Sequence, residues 1–122
     1  MTEQEFRDAL KTARPYTALV LKATPTYEAP GPNRSRQVEA IVLEHAMRNL
    51  ALYRARLLRV VCPIADGSGV TGISIFDATP EDVERIMVED PGVKAGIFTF
   101  DIHPTATFPQ SSLAVSEGAL HT

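Results

Sequence analysis

Residues 57–76, LLRVVCPIADGSGVTGISIF, carry the pattern that decides the fold. The apolar run of residues 57–64 predicts a strand, and the alternation of apolar with small or polar residues over 70–76 predicts another. Between them, residues 65–69 read ADGSG, which is a strong turn signal. The segment therefore predicts an antiparallel β-hairpin in the middle of the chain.

A long helix is predicted upstream of this hairpin, over residues 37–53. Side chains that recur at spacings of three and four share one face of such a helix. The predicted stripe consists of Val38, Ile41, Val42, His45, Asn49 and Leu52. Further upstream, an apolar run after Pro15 predicts a strand over residues 16–21. The proline-rich residues 22–36 predict a loop, because proline interrupts helices and central strands.

The chain after the hairpin repeats the order of helix and strand. Thr79 and Pro80 predict a helix start, since threonine caps a helix and proline favours its first position. Asp90-Pro91-Gly92 predicts the end of this helix. Residues 95–102 then predict a fourth strand.

The two ends of the chain lie outside this alternation. Residues 2–13 predict a short N-terminal helix, and residues 105–122 predict an irregular C-terminal tail. We expect a single domain over residues 1–122, with a core of about 16–104.

The predicted order β-α-β-β-α-β is typical of the α+β ferredoxin-like fold. This fold is a four-stranded antiparallel sheet with its helices on one face. The other face then carries apolar strand residues without a cover. Pairing with a second subunit would cover it, so we expect a homodimer or a higher assembly of the same chain.

Composition excludes several classes of function. The net charge is -3, so no strong basic field favours nucleic acid as a partner. No apolar run approaches the roughly 18 residues that a membrane span needs. Cys62 is the single cysteine, which fits a reducing compartment, and residues 1–11 lack a signal-peptide pattern. These features predict a cytoplasmic protein without membrane or nucleic-acid partners.

His45 is the first candidate for chemistry. An imidazole exchanges protons near neutral pH, so a histidine beside a carboxylate is a natural general base. The same position on an apolar stripe also fits a buried, hydrogen-bonded structural histidine. The residues alone leave both interpretations open.

Further candidates have equally plain alternatives. Asp66 can form hydrogen bonds with the backbone of its own turn, or it can orient a histidine. Arg34 and Arg48 can hold an anionic substrate or be solvated, and His103 can line a site or an interface. Cys62 fits a small core residue better than a nucleophile. Since no pair of histidines or cysteines has metal-ligand spacing, we expect no metal and no cofactor.

Three stretches of the chain resemble the YCII-related family. They are residues 45–53, the segment VCPIADG at 61–67 and the segment DPGVKAGIF at 90–98, of which the last is the most specific. The resemblance covers roughly residues 16–104. At Cys62 the chain departs from the pattern, because the family has glycine before the turn proline.

The resemblance implies a dimeric α/β-barrel of ferredoxin-like subunits. It also implies that His45 and Asp66 are a catalytic pair. Arg34, Arg48, Cys62 and His103 are our candidates for substrate binding from the residues themselves. The expected function is acid-base chemistry on a small metabolite, by elimination or isomerisation of an enol-type or cyclic substrate. The alternative is a non-catalytic dimeric module that binds a small molecule or another protein.

Overall fold

The computed structural model describes residues 1–108 and residue 113. Within them the helices and strands follow the predicted alternation, with one additional short helix before the last strand. In chain order the elements are α1 (Glu3–Leu10), β1 (Arg14–Ala23), α2 (Arg36–Arg54), β2 (Leu58–Pro63), β3 (Val70–Phe76), α3 (Pro80–Met87), α4 (Pro91–Lys94) and β4 (Phe98–Thr107).

The four strands form one antiparallel sheet in the order β2-β3-β1-β4. The hairpin predicted from residues 57–76 is present, with Val61 opposite Ser74 and Cys62 opposite Ile73. The predicted α+β class and four-stranded antiparallel sheet are therefore confirmed. The strand order is consistent with a ferredoxin-like fold.

The helices α2 and α3 pack on the same face of the sheet. The side chain of Ser35 accepts a hydrogen bond from the Val38 backbone and begins α2, as Thr79 does for α3. The apolar stripe of α2 and the buried Val83 and Met87 of α3 join one core cluster with the sheet. Burial of these amphipathic faces fixes the helices on the sheet.

The last strand is longer than its sequence pattern predicts. Residues 105–107, assigned above to the irregular tail, continue β4 to Thr107 and pair with the start of β1. Pro104 interrupts the hydrophobic pattern but not the strand. β4 is an edge strand, and edge strands are where a sheet tolerates proline. The remaining tail prediction, over 109–112 and 114–122, lies outside the described residues.

The segment Asp90-Pro91-Gly92 both ends one helical stretch and begins another. Helix α3 ends at Met87, as predicted, but Asp90 then caps the four-residue α4. A carboxylate at an N-cap and proline at the next position are favourable for a helix start. The sequence analysis missed this second role, which places the Asp90 side chain inside the protein.

The sheet face away from α2 and α3 carries a group of apolar side chains. Alternation along the strands directs Val20, Val60, Ile73 and Ile75 to this face. Ile73 is 42% exposed and Cys62 beside it is exposed as well.

None of the helices among the described residues has the length and apolar character that a membrane span requires.

Candidate functional site

A cavity of about 530 Å³ lies between α2 and the sheet. Its walls are mostly apolar, which is typical of small-molecule sites, and its volume lies in the range that such sites have. Leu19 and Phe76 supply part of the sheet side, and Val42 and Leu50 part of the helix side. His45 and Asn49 bring polar atoms to the cavity from successive turns of α2.

His45 is held by a carboxylate that is remote in sequence. Its Nδ1 lies 2.7 Å from Oδ1 of Asp90, the N-cap residue of α4. The imidazole is 12% exposed and the Asp90 side chain is completely buried. Such an aspartate fixes the orientation of the ring and stabilises it when the ring gains a proton.

Asp90 is itself held in place by the helix that it caps. Its Oδ2 accepts hydrogen bonds from the backbone N–H groups of Gly92 and Val93, at 2.9 and 3.2 Å. These bonds leave Oδ1 directed at His45. The α4 N-terminus and the imidazole together offset the cost of burying a carboxylate.

Arg48 supports this pair from behind rather than from the cavity. Its Nη2 donates to the Ile86 carbonyl at 2.6 Å, near the end of α3, and its Nη1 lies 3.8 Å from Asp90 Oδ1. Arg48 does not line the cavity. Arg48, predicted as a substrate-binding residue, therefore lies outside the cavity, and its guanidinium is directed at Ile86 and Asp90.

The contacts of His45 define which ring nitrogen carries a proton. A carboxylate only accepts hydrogen bonds, so Nδ1 must donate to Asp90. The other nitrogen, Nε2, then has a free lone pair, and the Asn49 amide nitrogen lies 3.2 Å from it. The basic nitrogen therefore lies beside Asn49, and both residues line the cavity.

An aromatic group packs against the imidazole. The ring centroids of His45 and Phe98 are 5.0 Å apart, and those of Tyr27 and Phe98 are 5.4 Å apart. Phe98 occupies this place because Gly92 leaves room for it. A Cβ atom on Gly92 would lie only 2.3 Å from Phe98 Cδ2.

Arg34 organises the proline-rich loop at the edge of the cavity. Its side chain is only 6% exposed and donates to the Glu28 carbonyl, the Tyr27 hydroxyl and the Glu39 carboxylate. Arg34 also lines the cavity, as the sequence interpretation requires. Its hydrogen bonds nevertheless hold Tyr27 and the loop, so its main partners are protein groups.

The predicted partner of His45, Asp66, is found elsewhere. Its carboxylate accepts the Ser68 backbone N–H at 2.9 Å, within the hairpin turn. Hydrogen bonds from Ser68, that of its side chain first and that of its backbone N–H second, lower the pKa of Asp66, whose side chain is in solvent. Both ring nitrogens of His45 already contact Asp90 and Asn49. The structure therefore does not bring Asp66 to His45, and the local turn interpretation describes Asp66 better.

Two further candidates point away from the cavity. Cys62 lies between Val61 and Pro63, which line the cavity, so the alternation of β2 directs Cys62 to the opposite face. His103 pairs with Ala18 across β1 and β4 and is exposed. The structure therefore does not bring Cys62 or His103, both predicted as substrate-binding residues, to this cavity.

Two residues of the site were missed by the sequence analysis. Asp90 was assigned to a helix end, although aspartate before Pro91 is also an N-cap signal that could have identified it. Arg59 reaches the cavity from a bulge between Leu58 and Val60 in β2. No sequence pattern predicts that bulge.

A scan against models of known protein families finds no match to this chain. A search of curated proteins finds no significant match either.

Proposed function

We propose that this protein is a YCII-related enzyme that moves a proton on a small, largely apolar carbonyl compound. The reaction class is isomerisation or elimination through an enol-type state. His45 is the general base and acid, Asp90 orients it, and Asn49 lies beside the reacting nitrogen. The observation that carries the proposal is the 2.7 Å contact between His45 and the buried Asp90 at the wall of a cavity.

The proposed step needs only one base and one hydrogen-bond donor. A substrate C–H bond next to a carbonyl breaks, its proton forms the Nε2–H bond of His45, and the electron pair moves to the carbonyl oxygen. The amide nitrogen of Asn49 then donates to that oxygen instead of to Nε2. Return of the proton to another carbon completes an isomerisation, and loss of a leaving group from the enolate completes an elimination.

The surroundings of His45 favour such chemistry. Asp90 stabilises the imidazolium that forms when Nε2 takes a proton. The apolar cavity strengthens the electrostatic interactions of the developing enolate, because little water screens them. General bases of this type contribute typically about 10²- to 10⁴-fold to a rate.

We further propose that the chain acts as a homodimer in the cytoplasm. The apolar side chains on the open sheet face support pairing with a second copy, as in a dimeric α/β-barrel. Partial exposure of Ile73 on that face favours the same arrangement. The exposed thiol of Cys62 is compatible with a reducing compartment.

The second candidate function is a small-molecule binding module without catalysis. One contact favours it: the Asn49 amide already lies 3.2 Å from His45 Nε2, the nitrogen that a substrate needs. In such a module the ligand would occupy the cavity while the hydrogen bond between His45 and Asn49 remained in place.

Deuterium exchange distinguishes these two functions. The protein is incubated in D₂O with cyclohexanone, phenylacetone or phenylpyruvate, and loss of the proton next to the carbonyl is followed by ¹H NMR. An enzyme accelerates exchange of at least one probe, and His45→Gln reduces the acceleration by about 100-fold or more. His103→Gln is the matched control and retains the wild-type rate. Exchange that is equal in wild type and His45→Gln contradicts the proposed enzyme.

A further inference from the structure

The cavity is positively charged although the whole chain has a net charge of -3. Arg34 and Arg59 both line it, whereas no aspartate or glutamate does so among the described residues. The two arginines differ in how their charge is compensated. Arg34 forms an ion pair with Glu39 at 3.1 Å and two further hydrogen bonds to the loop.

Arg59 has no comparable partner in the described part of the chain. Its Nε donates to the Leu113 carbonyl at 3.2 Å, and its guanidinium lies over the Tyr53 ring at 5.7 Å. Its Nη1 is buried without a hydrogen-bond acceptor. No carboxylate among residues 1–108 or at 113 pairs with it.

The backbone aims this cation at the cavity. A bulge between Leu58 and Val60 leaves Arg59 without a partner on β3, so Leu58 enters the core while Arg59 also reaches the helix side of the sheet. Bulges are frequent next to functional sites, where they redirect a side chain. The contacts to Tyr53 and Leu113 then hold the guanidinium in a fixed direction.

An arginine held in this way lowers stability unless an anion compensates it. A partly buried guanidinium without a counter-ion loses hydration and gains no ion pair in return. A carboxylate supplies both the charge and two acceptor oxygens that match the arginine fork. A cavity of about 530 Å³ with mainly apolar walls accommodates the rest of such a molecule.

We propose that the ligand of this cavity is a small apolar carboxylic acid, bound as its anion by Arg59. This inference rests on the proposed function in that it names the substrate class for the same cavity. The carboxylate lies at the Arg59 end, and the apolar body carries the reacting carbon toward His45. Arg59 is therefore a binding residue that determines specificity for acids over neutral compounds.

Binding of a matched pair of probes tests this inference without any turnover. 2-Naphthoate and 2-naphthamide share shape and apolar surface but differ in charge, and calorimetry gives their Kd values with the full chain. The wild type should prefer the carboxylate by about tenfold or more, since hydrogen bonds to charged groups have that effect. In Arg59→Gln the preference should fall to about twofold or less, and Arg59→Lys should retain part of it.

A control variant separates this result from other effects. Arg54→Gln removes the same charge from the exposed last turn of α2, outside the cavity, and should keep the wild-type preference. Because these measurements need no turnover, failure of catalysis and failure of anion binding are distinguishable. No saturable binding of 2-naphthoate to the wild type, or an unchanged preference in folded Arg59→Gln and Arg59→Lys, overturns the inference.

Discussion

Nδ1 of His45 and Oδ1 of Asp90 are 2.7 Å apart, although 45 residues separate them in the chain. The contact joins the middle of α2 to the N-cap residue of α4, and α4 precedes the strand that carries Phe98. One short helix therefore fixes the imidazole orientation and also the aromatic ring against which the imidazole packs.

Replacing Asp90 by asparagine should move the proton on His45. The amide oxygen would still cap α4, which leaves the amide nitrogen donating to Nδ1. Nδ1 must then accept, so the ring proton moves to Nε2. Long-range ¹H–¹⁵N correlation spectra of the ring nitrogens measure this change. An unchanged tautomer in Asp90→Asn contradicts the described contact.

Asp90→Ala should destabilise the protein more than Asp90→Asn. Alanine removes the cap of α4 and leaves the His45 Nδ1–H group and the buried Arg48 Nη1 without their carboxylate. We expect a loss of about 3 kcal/mol in the free energy of unfolding for alanine and about 1 kcal/mol for asparagine. Urea unfolding monitored by circular dichroism measures both. Equal losses in the two variants would show that the cap contributes nothing here.

Gly92→Ala should destabilise the site by a steric effect. The added methyl group would lie 2.3 Å from Phe98 Cδ2, so the ring must move away from His45. Such overpacking costs about 1 to 3 kcal/mol in the free energy of unfolding. Gly72→Ala is the matched control, because its nearest neighbour would lie 3.6 Å away at ordinary contact distance. Similar unfolding curves for the two variants refute this explanation.

Arg34→Met should release the proline-rich loop while keeping the apolar part of the side chain. The loop would lose three hydrogen bonds, to Glu28, Tyr27 and Glu39. Hydrogen–deuterium exchange by mass spectrometry should show faster exchange over residues 24–35 and unchanged exchange in β3. The 2-naphthoate preference over 2-naphthamide should persist, since Arg59 remains. Unchanged exchange in the loop contradicts the role of Arg34 as its clamp.

Asp101 offers a test of electrostatics on the open sheet face. The hydrogen bond from Lys22 lowers the pKa of the Asp101 carboxyl from its ordinary value. The pair therefore stabilises the fold above the ordinary aspartate pKa, and this contribution is lost as the pH falls through the lowered pKa. In Lys22→Met the Asp101 pKa, measured by ¹³C NMR titration, should rise toward its ordinary value. The same pKa in both proteins excludes the ion pair in solution.

Much of the fold follows from local sequence signals. Three kinds of signal each involve residues that are close in sequence: the turn at residues 65–69, the capping residues Ser35 and Thr79, and the stripe of α2. These signals can be recognised in the sequence because each depends on local backbone geometry and periodicity. The end of β4 was less predictable, since pairing with β1 at an edge outweighs the weak strand propensity around Pro104.

The candidate site was only partly predictable for the same reason. His45 was found because its helix period places it toward the sheet. Its partner required a tertiary contact between α2 and α4 that no local pattern specifies. Asp66 accepts a hydrogen bond from the backbone of its own turn, as an aspartate before glycine commonly does. Arg59 depends on a bulge, which alternation rules do not anticipate.

A double-mutant cycle on the deuterium-exchange rate tests whether Asp90 acts through His45. If Asp90 acts through His45, Asp90→Asn should slow exchange strongly in the wild type. The same change should have no further effect in the His45→Gln background, because residues that act as a unit are not additive. We expect equal exchange rates for His45→Gln and the double variant. Independent, multiplicative losses from the two substitutions, or a wild-type rate in His45→Gln, would contradict it.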